Sequence, residues 1–146
     1  MEHFEIKNLD NKLVFSGEYN SYAACVQDAI EKKIDLSDGY FMRRDLSGLE
    51  FKNINLSGAN FAAANLSNCQ FLNVSLMSTF FYKANLSNSV IKSSACRCAD
   101  FYESDLSNAV IESSDCSYAD FSKSKITGTD FPDSKLSHAT FYKTQK

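Results

Sequence analysis

From Leu36 to Phe141, every fifth residue is apolar. The series runs Leu36, Phe41, Leu46, Phe51, Leu56, Phe61, Leu66, Phe71, Leu76, Phe81 and Leu86, then Ile91, Cys96, Phe101, Leu106, Ile111, Cys116, Phe121, Ile126, Phe131, Leu136 and Phe141. Two residues before each centre the chain is mostly small, as at Ala59, Ala64, Cys69, Val74, Thr79, Ala84, Ser89, Ser94 and Ala99. The other three places carry Asp, Asn, Ser, Lys and Tyr. A period of five matches neither the roughly 3.6 residues of a helical turn nor the roughly two of a strand, so neither element alone buries these residues. The chain must turn every five residues, with the centre and the small residue two before it facing inward.

In-register stacking puts like beside like, and likeness recurs at twenty residues. Phe41, Phe61, Phe81, Phe101, Phe121 and Phe141 form one column; Leu36, Leu56, Leu76, Cys96, Cys116 and Leu136 form another. Leu46, Leu66, Leu86, Leu106 and Ile126 make the third, and Phe51, Phe71, Ile91, Ile111 and Phe131 the fourth. A three-sided lap would mix Leu with Phe in every column. Outward Gly48, Asn68, Asn88, Asn108 and Gly128 share the same spacing, and Gly and Asn tolerate the positive φ of a corner. The coil therefore has four sides, and stacking at about 4.8 Å per lap gives a prism about 26 Å long. With 44% apolar residues, 23% charged residues and one proline, the composition is that of a folded chain.

Ala59-Asn60-Phe61, Ala64-Asn65-Leu66, Ala84-Asn85-Leu86, Ala99-Asp100-Phe101 and Ala119-Asp120-Phe121 fit the A(D/N)LXX signature. The sequence resembles the pentapeptide-repeat proteins, over residues 34–143 without a register slip. The resemblance implies an all-β solenoid, a right-handed quadrilateral β-helix. It also brings a precedent, since the plasmid quinolone-resistance members and a mycobacterial relative bind DNA gyrase through a DNA-like acidic surface. Those quinolone-resistance members carry loops that interrupt the register and commonly a dimerising C-terminal helix; here the register is unbroken and no such helix is expected after Phe141.

Charge bears on that precedent. The formal net charge is -3, too mild to name an electrostatic partner by itself, and residues 34–146 carry 12 Asp+Glu against 11 Lys+Arg. Acid concentrates in one band, Asp100, Glu103, Asp105, Glu112, Asp115 and Asp120, against a lone Arg97. The band is either a short phosphate-like stripe or a solvated face.

Residues 1–33 stand outside the register. Phe4-Glu5-Ile6 and Leu13-Val14-Phe15, separated by a polar Asn8 to Asn11 turn, read as a hairpin. Tyr22, Cys25, Val26, Ala29 and Ile30 then share one helical face behind a Ser21 or Asn20 cap. A first lap would otherwise expose strand edges and apolar interior, so this piece is assigned as the terminal cap. Such a start also resembles pentapeptide proteins of phages and mobile elements. Residues 144–146 form a tail. Leu136 and Phe141 lie near an open end, which favours either end-to-end homodimerisation or fraying of the last lap.

The residues for catalysis are sparse. His3 and His138 lie at opposite ends without a spaced carboxylate partner, and neither a phosphate loop nor a metal-binding cluster appears, so no enzyme, cofactor or metal is expected. The odd cysteine count, Cys25, Cys69, Cys96, Cys98 and Cys116, favours reduced thiols, with Cys96 and Cys116 packed in one inward column and Cys98 outward. The absence of a long apolar run and the polar start point to a soluble, cytoplasmic protein.

The outward apolar residues are more informative. Leu72, Met77, Phe80, Tyr82, Tyr102 and Tyr118 occupy places where Asn, Ser or Lys is the rule, flanked by Lys83 and Arg97, with Lys83 above Glu103 and Lys123 beyond. Val90 and Val110 form a smaller pair on another side. Such a cluster is either a protein-docking surface or an aromatic ladder stabilising a β surface. The expected partner is another protein, a nucleic-acid enzyme or a host-defence nuclease complex, with no direct nucleic-acid or membrane contact. The alternatives are a gyrase-binding DNA mimic and a structural assembly protein with inert sides.

Overall fold

The computed structural model describes residues 1–146. Backbone pairing follows the twenty-residue lap throughout the repeats. Strands β3 (Glu50–Lys52), β4 (Gln70–Leu72), β5 (Val90–Lys92) and β6 (Val110–Glu112) form a parallel sheet in which Phe51 faces Phe71, Phe71 faces Ile91 and Ile91 faces Ile111. On the other three sides single parallel bridges join residues one lap apart, as in Tyr40, Asn60, Phe80, Asp100, Asp120 and Thr140. We number the sides by their first centres, Leu36, Phe41, Leu46 and Phe51.

The D/N of the repeat has a local cause. The Asn or Asp before a centre accepts a bond from the backbone N–H after it, at 2.9 Å from Ala62 to Asn60, 3.1 Å from Ser67 to Asn65 and 2.9 Å from Tyr102 to Asp100. This Asx turn bends the chain toward the corner. On the fourth side the corresponding places are Glu50, Gln70, Val90 and Val110, which cannot make that turn, and there the three-residue strands form.

Every corner is left-handed. The expectation that Gly and Asn mark the positive-φ corners on the third side is met at Gly48, Asn68, Asn88, Asn108 and Gly128, but the same conformation recurs five residues apart around the whole lap. It is imposed even on Ala63 (φ 57), Lys83 (φ 56), Glu103 (φ 58) and Tyr118 (φ 63). A non-Gly residue there costs on the order of 1–2 kcal/mol, offset by the ladder bonds on either side. The structure therefore extends to four corners a rule that composition displays at one. At Gly58 a side chain would also collide with the Asp38 carboxylate one lap away.

The interior is filled by stacked rings. Successive phenylalanines of the second side lie 4.8 to 5.5 Å apart at interplanar angles of 3 to 15°. Rings of the fourth side meet them edge-on across the prism, Phe51 against Phe61 at 5.9 Å and Phe71 against Phe81 at 6.2 Å. Cys96 and Cys116 sit buried in the first-side column between Leu76 and Leu136, unpaired; their mutual contact, with burial, pushes the Cys96 thiol well above its usual value. Cys98 is exposed.

The N-terminal piece has the expected elements: β1 (Glu2–Lys7) antiparallel to β2 (Leu13–Tyr19), then α1 (Tyr22–Glu31), N-capped by Ser21 through the Ala24 N–H. Ile6, Tyr22, Cys25, Val26, Ala29 and Ile30 join one continuous core with Leu36, Phe41 and Leu46. The hairpin also meets the first lap edge to edge, through Tyr40 N–H to Lys7 C=O and Leu9 N–H to Asp38 C=O, both 2.8 Å. The prism is solid, but recesses open where this cap meets the first lap. No helix is long and apolar enough to cross a membrane.

Two substitutions test this construction by thermal or urea unfolding. Phe81→Ala empties one ring from the stack and lowers stability by about 3–5 kcal/mol. Ala63→Gly, at an exposed left-handed corner, raises it by up to about 1 kcal/mol.

Candidate interaction surface

The exposed aromatic residues are placed by register. Within each repeat, the residues just before and just after the inward centre stand on the wall. Phe80 and Tyr82 flank Phe81 on the second side and are 44% and 39% exposed. Tyr102 lies one lap beyond Tyr82, the rings stacked at 6.0 Å. Met77 precedes the same corner on the first side, Arg97 follows it by one lap, and Tyr118 stands two laps on, at the corner between the first and second sides. The Arg97 guanidinium lies 5.5 Å from the Tyr118 ring centroid, and Tyr118 stacks on His138 at 4.8 Å.

Seven of the eight apolar and cationic residues singled out from the sequence thus share two adjoining walls. Leu72 does not. It lies on the fourth side, opposite Phe80 and Tyr82, registered between Lys52 and Lys92 beside the Val90 and Val110 pair. Its outward place is real, but a count of outward apolar residues does not say which side each one occupies.

The lysines organise the second wall. Lys83 Nζ lies 5.1 Å from the Tyr82 ring centroid and 3.6 Å from the Glu103 carboxylate; Lys123 lies 5.2 Å from Tyr102. Tyr142, 65% exposed, stands two laps beyond Tyr102, past Ser122, with Lys143 5.2 Å from its ring. Sequence reasoning passed over Tyr142, although it occupies the same register place as Tyr82 and Tyr102.

The acidic residues form no stripe. Asp100, Glu103 and Asp120 lie on the second side, Asp105 on the third, Glu112 on the fourth and Asp115 on the first, so the band girdles the prism. Nor is Arg97 its sole counter-charge. Glu103 pairs with Lys83, Glu112 with Lys92 at 3.2 Å and Asp115 with Arg97 at 3.4 Å, each pair joining adjacent laps. The aspartates also hold turns: Ser107 N–H and hydroxyl donate to Asp105, Ser117 N–H and hydroxyl to Asp115, and Ser122 N–H and Thr140 hydroxyl to Asp120. These carboxylates bend and tie the chain.

A family model described as a pentapeptide repeat region matches residues 64–141. No curated protein sequence matches the chain. Among solved structures, a pentapeptide repeat protein from the thylakoid lumen of Arabidopsis thaliana is 22% identical with a TM-score of 0.55, over 68% of this chain and 66% of its own. The pentapeptide repeat protein Rfr23 of the cyanobacterium Cyanothece 51142 is 21% identical with a TM-score of 0.49, over 66% and 63%. Full-length QnrB1, a plasmid-mediated fluoroquinolone resistance protein, is 15% identical with a TM-score of 0.48, over 73% and 83%. The chain spans just under two thirds of the length of the thylakoid and cyanobacterial proteins. The fold is that of a right-handed β-helix solenoid.

The turn-holding carboxylates predict an acid sensitivity. The Ser47 N–H and hydroxyl hold Asp45 below its ordinary value. The Ser117 hydroxyl and N–H, with Arg97 alongside, do the same for Asp115. Burial opposes ionisation of Asp120, but hydrogen bonds from Ser122 and Thr140 outweigh it. Each folded value lies below the unfolded value of about 3.9, so the stabilisation is complete above about pH 4 and disappears as pH falls through the folded values. Melting temperature against pH should be level near neutrality and drop below about pH 4. Asp115→Asn keeps the turn acceptor without the charge and should make the drop shallower.

Proposed function

The chain belongs to the pentapeptide-repeat family, and we propose that it is a non-catalytic module that binds another protein through its first and second walls. The observation that carries this is the exposure of Met77, Phe80, Tyr82 and Tyr118 on two adjoining walls of a solid support. The fold does not require large side chains at these places; Ala62, Ser122 and Ser117 fill equivalent ones. Tyr82, stacked on Tyr102, and Tyr118, stacked on His138, are already held in place and lose little entropy on docking. We take the partner to be a nucleic-acid-processing enzyme, following the family precedent, with a host-defence nuclease complex as one form of it. The mode is aromatic docking rather than imitation of DNA, because the acidic residues are divided among four sides and paired across laps.

Affinity capture from the native host tests this reading. The wild type should retain a partner that the Phe80→Ala/Tyr82→Ala double variant loses, while stability changes by less than about 1 kcal/mol because only wall contacts are removed. Equal capture by both proteins would refute it. A DNA supercoiling assay with purified gyrase checks the family precedent; unchanged activity at high molar excess removes gyrase as the target.

A further inference from the structure

The inward register is broken at one place, where the cap meets the first lap. Two residues before each third-side centre stand Ala64, Ala84, Ser104 and Ser124 in successive laps, all buried, but Arg44 in the first. Arg44 is exposed and packs over the cap, its guanidinium carbon 4.1 Å from the ring centroid of Tyr22, a nine-tenths buried residue that opens α1. Arg43 stands beside it at the corner. The ion pairs of the chain all lie elsewhere, and the neighbouring Asp45 carboxylate is engaged by the Ser47 N–H and hydroxyl. Two unpaired guanidinium groups therefore face a recess of about 480 Å³ between Ser21–Ala23 and Arg43–Ser47. A second recess, of about 360 Å³, shares Tyr22 and Arg44 and runs on past Leu9 and Tyr40.

We propose that this junction binds a small phosphate monoester, with the phosphoryl group on Arg43 and Arg44 and the organic body against Tyr22, Tyr40 and Leu9. Guanidinium forks match phosphate oxygens in two-bond geometry, and an arginine already stacked on an aromatic ring is pre-oriented for that contact. The Tyr22 hydroxyl makes only a long 3.5 Å contact with the Tyr40 carbonyl. Burial pushes this phenol up to about 12, with Arg44 pulling the other way, so it remains a protonated donor. Together the recesses have the size of a small-molecule site, and a charged residue where the later laps of the same side place a buried Ala or Ser is the kind of local conflict that function explains. The site lies on different residues from the Phe80 to Tyr118 walls, so either assignment can fail without the other.

Inorganic phosphate and ribose 5-phosphate, titrated into the full chain by calorimetry and ³¹P NMR at ionic strength held constant with chloride, test the proposal. Binding should saturate, ribose 5-phosphate should bind more tightly than inorganic phosphate, and Arg44→Gln should weaken both by about tenfold or more through loss of a charge-assisted pair. Arg43→Gln, at an exposed corner, should do the same and decides the matter if Arg44→Gln fails to fold. A non-saturating response shared by wild type and variants is the general effect of phosphate on folded proteins and overturns the site. Tighter binding of a phosphoserine peptide than of ribose 5-phosphate overturns the small-molecule assignment in favour of a protein ligand.

Discussion

Residues one lap apart lie over one another, and the rest of the molecule depends on that superposition. It lets backbone bonds run parallel to the axis from one lap to the next, as from Phe61 N–H to Phe80 C=O and Phe81 N–H to Asp100 C=O. It also turns the phenylalanines of one side into a single stack. No lap has a core of its own, because each inward ring finds its face-to-face partner in a neighbouring lap. The left-handed corners are affordable only in this setting. Each is bracketed by ladder bonds, and an Asx bond of net value about 1 kcal/mol precedes many of them.

This construction separates what is structural from what is free. The interior is fully used by packing, and most of the acid is used by turns and by ion pairs between laps. The large aromatic residues on the walls have no such duty, since neighbouring laps make do with alanine or serine at equivalent places. A solid rod without a central cavity offers partners its sides and its ends, which is why the aromatic walls and the cap junction are the places where recognition can be built.

Much of this was legible in the letters. The five-residue centres and the sorting of six phenylalanines into one column gave the lap, and the hairpin and the helical face behind Ser21 followed from alternation, a polar turn and a cap residue. The left-handed state of Lys83, Glu103 and Tyr118 was not legible, because residue type reveals a corner only where Gly or Asn occupies it; elsewhere the lattice of hydrogen bonds enforces it. The pairing of Glu112 with Lys92 and of Asp115 with Arg97 was also hidden, since the partners are a lap or nearly a lap apart in sequence. Leu72 was assigned to the wrong company for a related reason: being outward fixes a residue's distance from the axis, while its side must be read from its place within the lap. Arg44 left a signal that went unused, a cation among Ala64, Ala84 and Ser104.

The corner at every fifth residue also dictates how such a chain can change length. One added or deleted residue would swing every later phenylalanine from the interior to the wall, and five would carry Phe columns onto Leu columns. Ten would keep Leu over Leu and Phe over Phe or Ile but move the three-residue strands to the opposite side, so only whole laps preserve both the interior and the sheet, and growth by duplication should proceed in blocks of twenty codons.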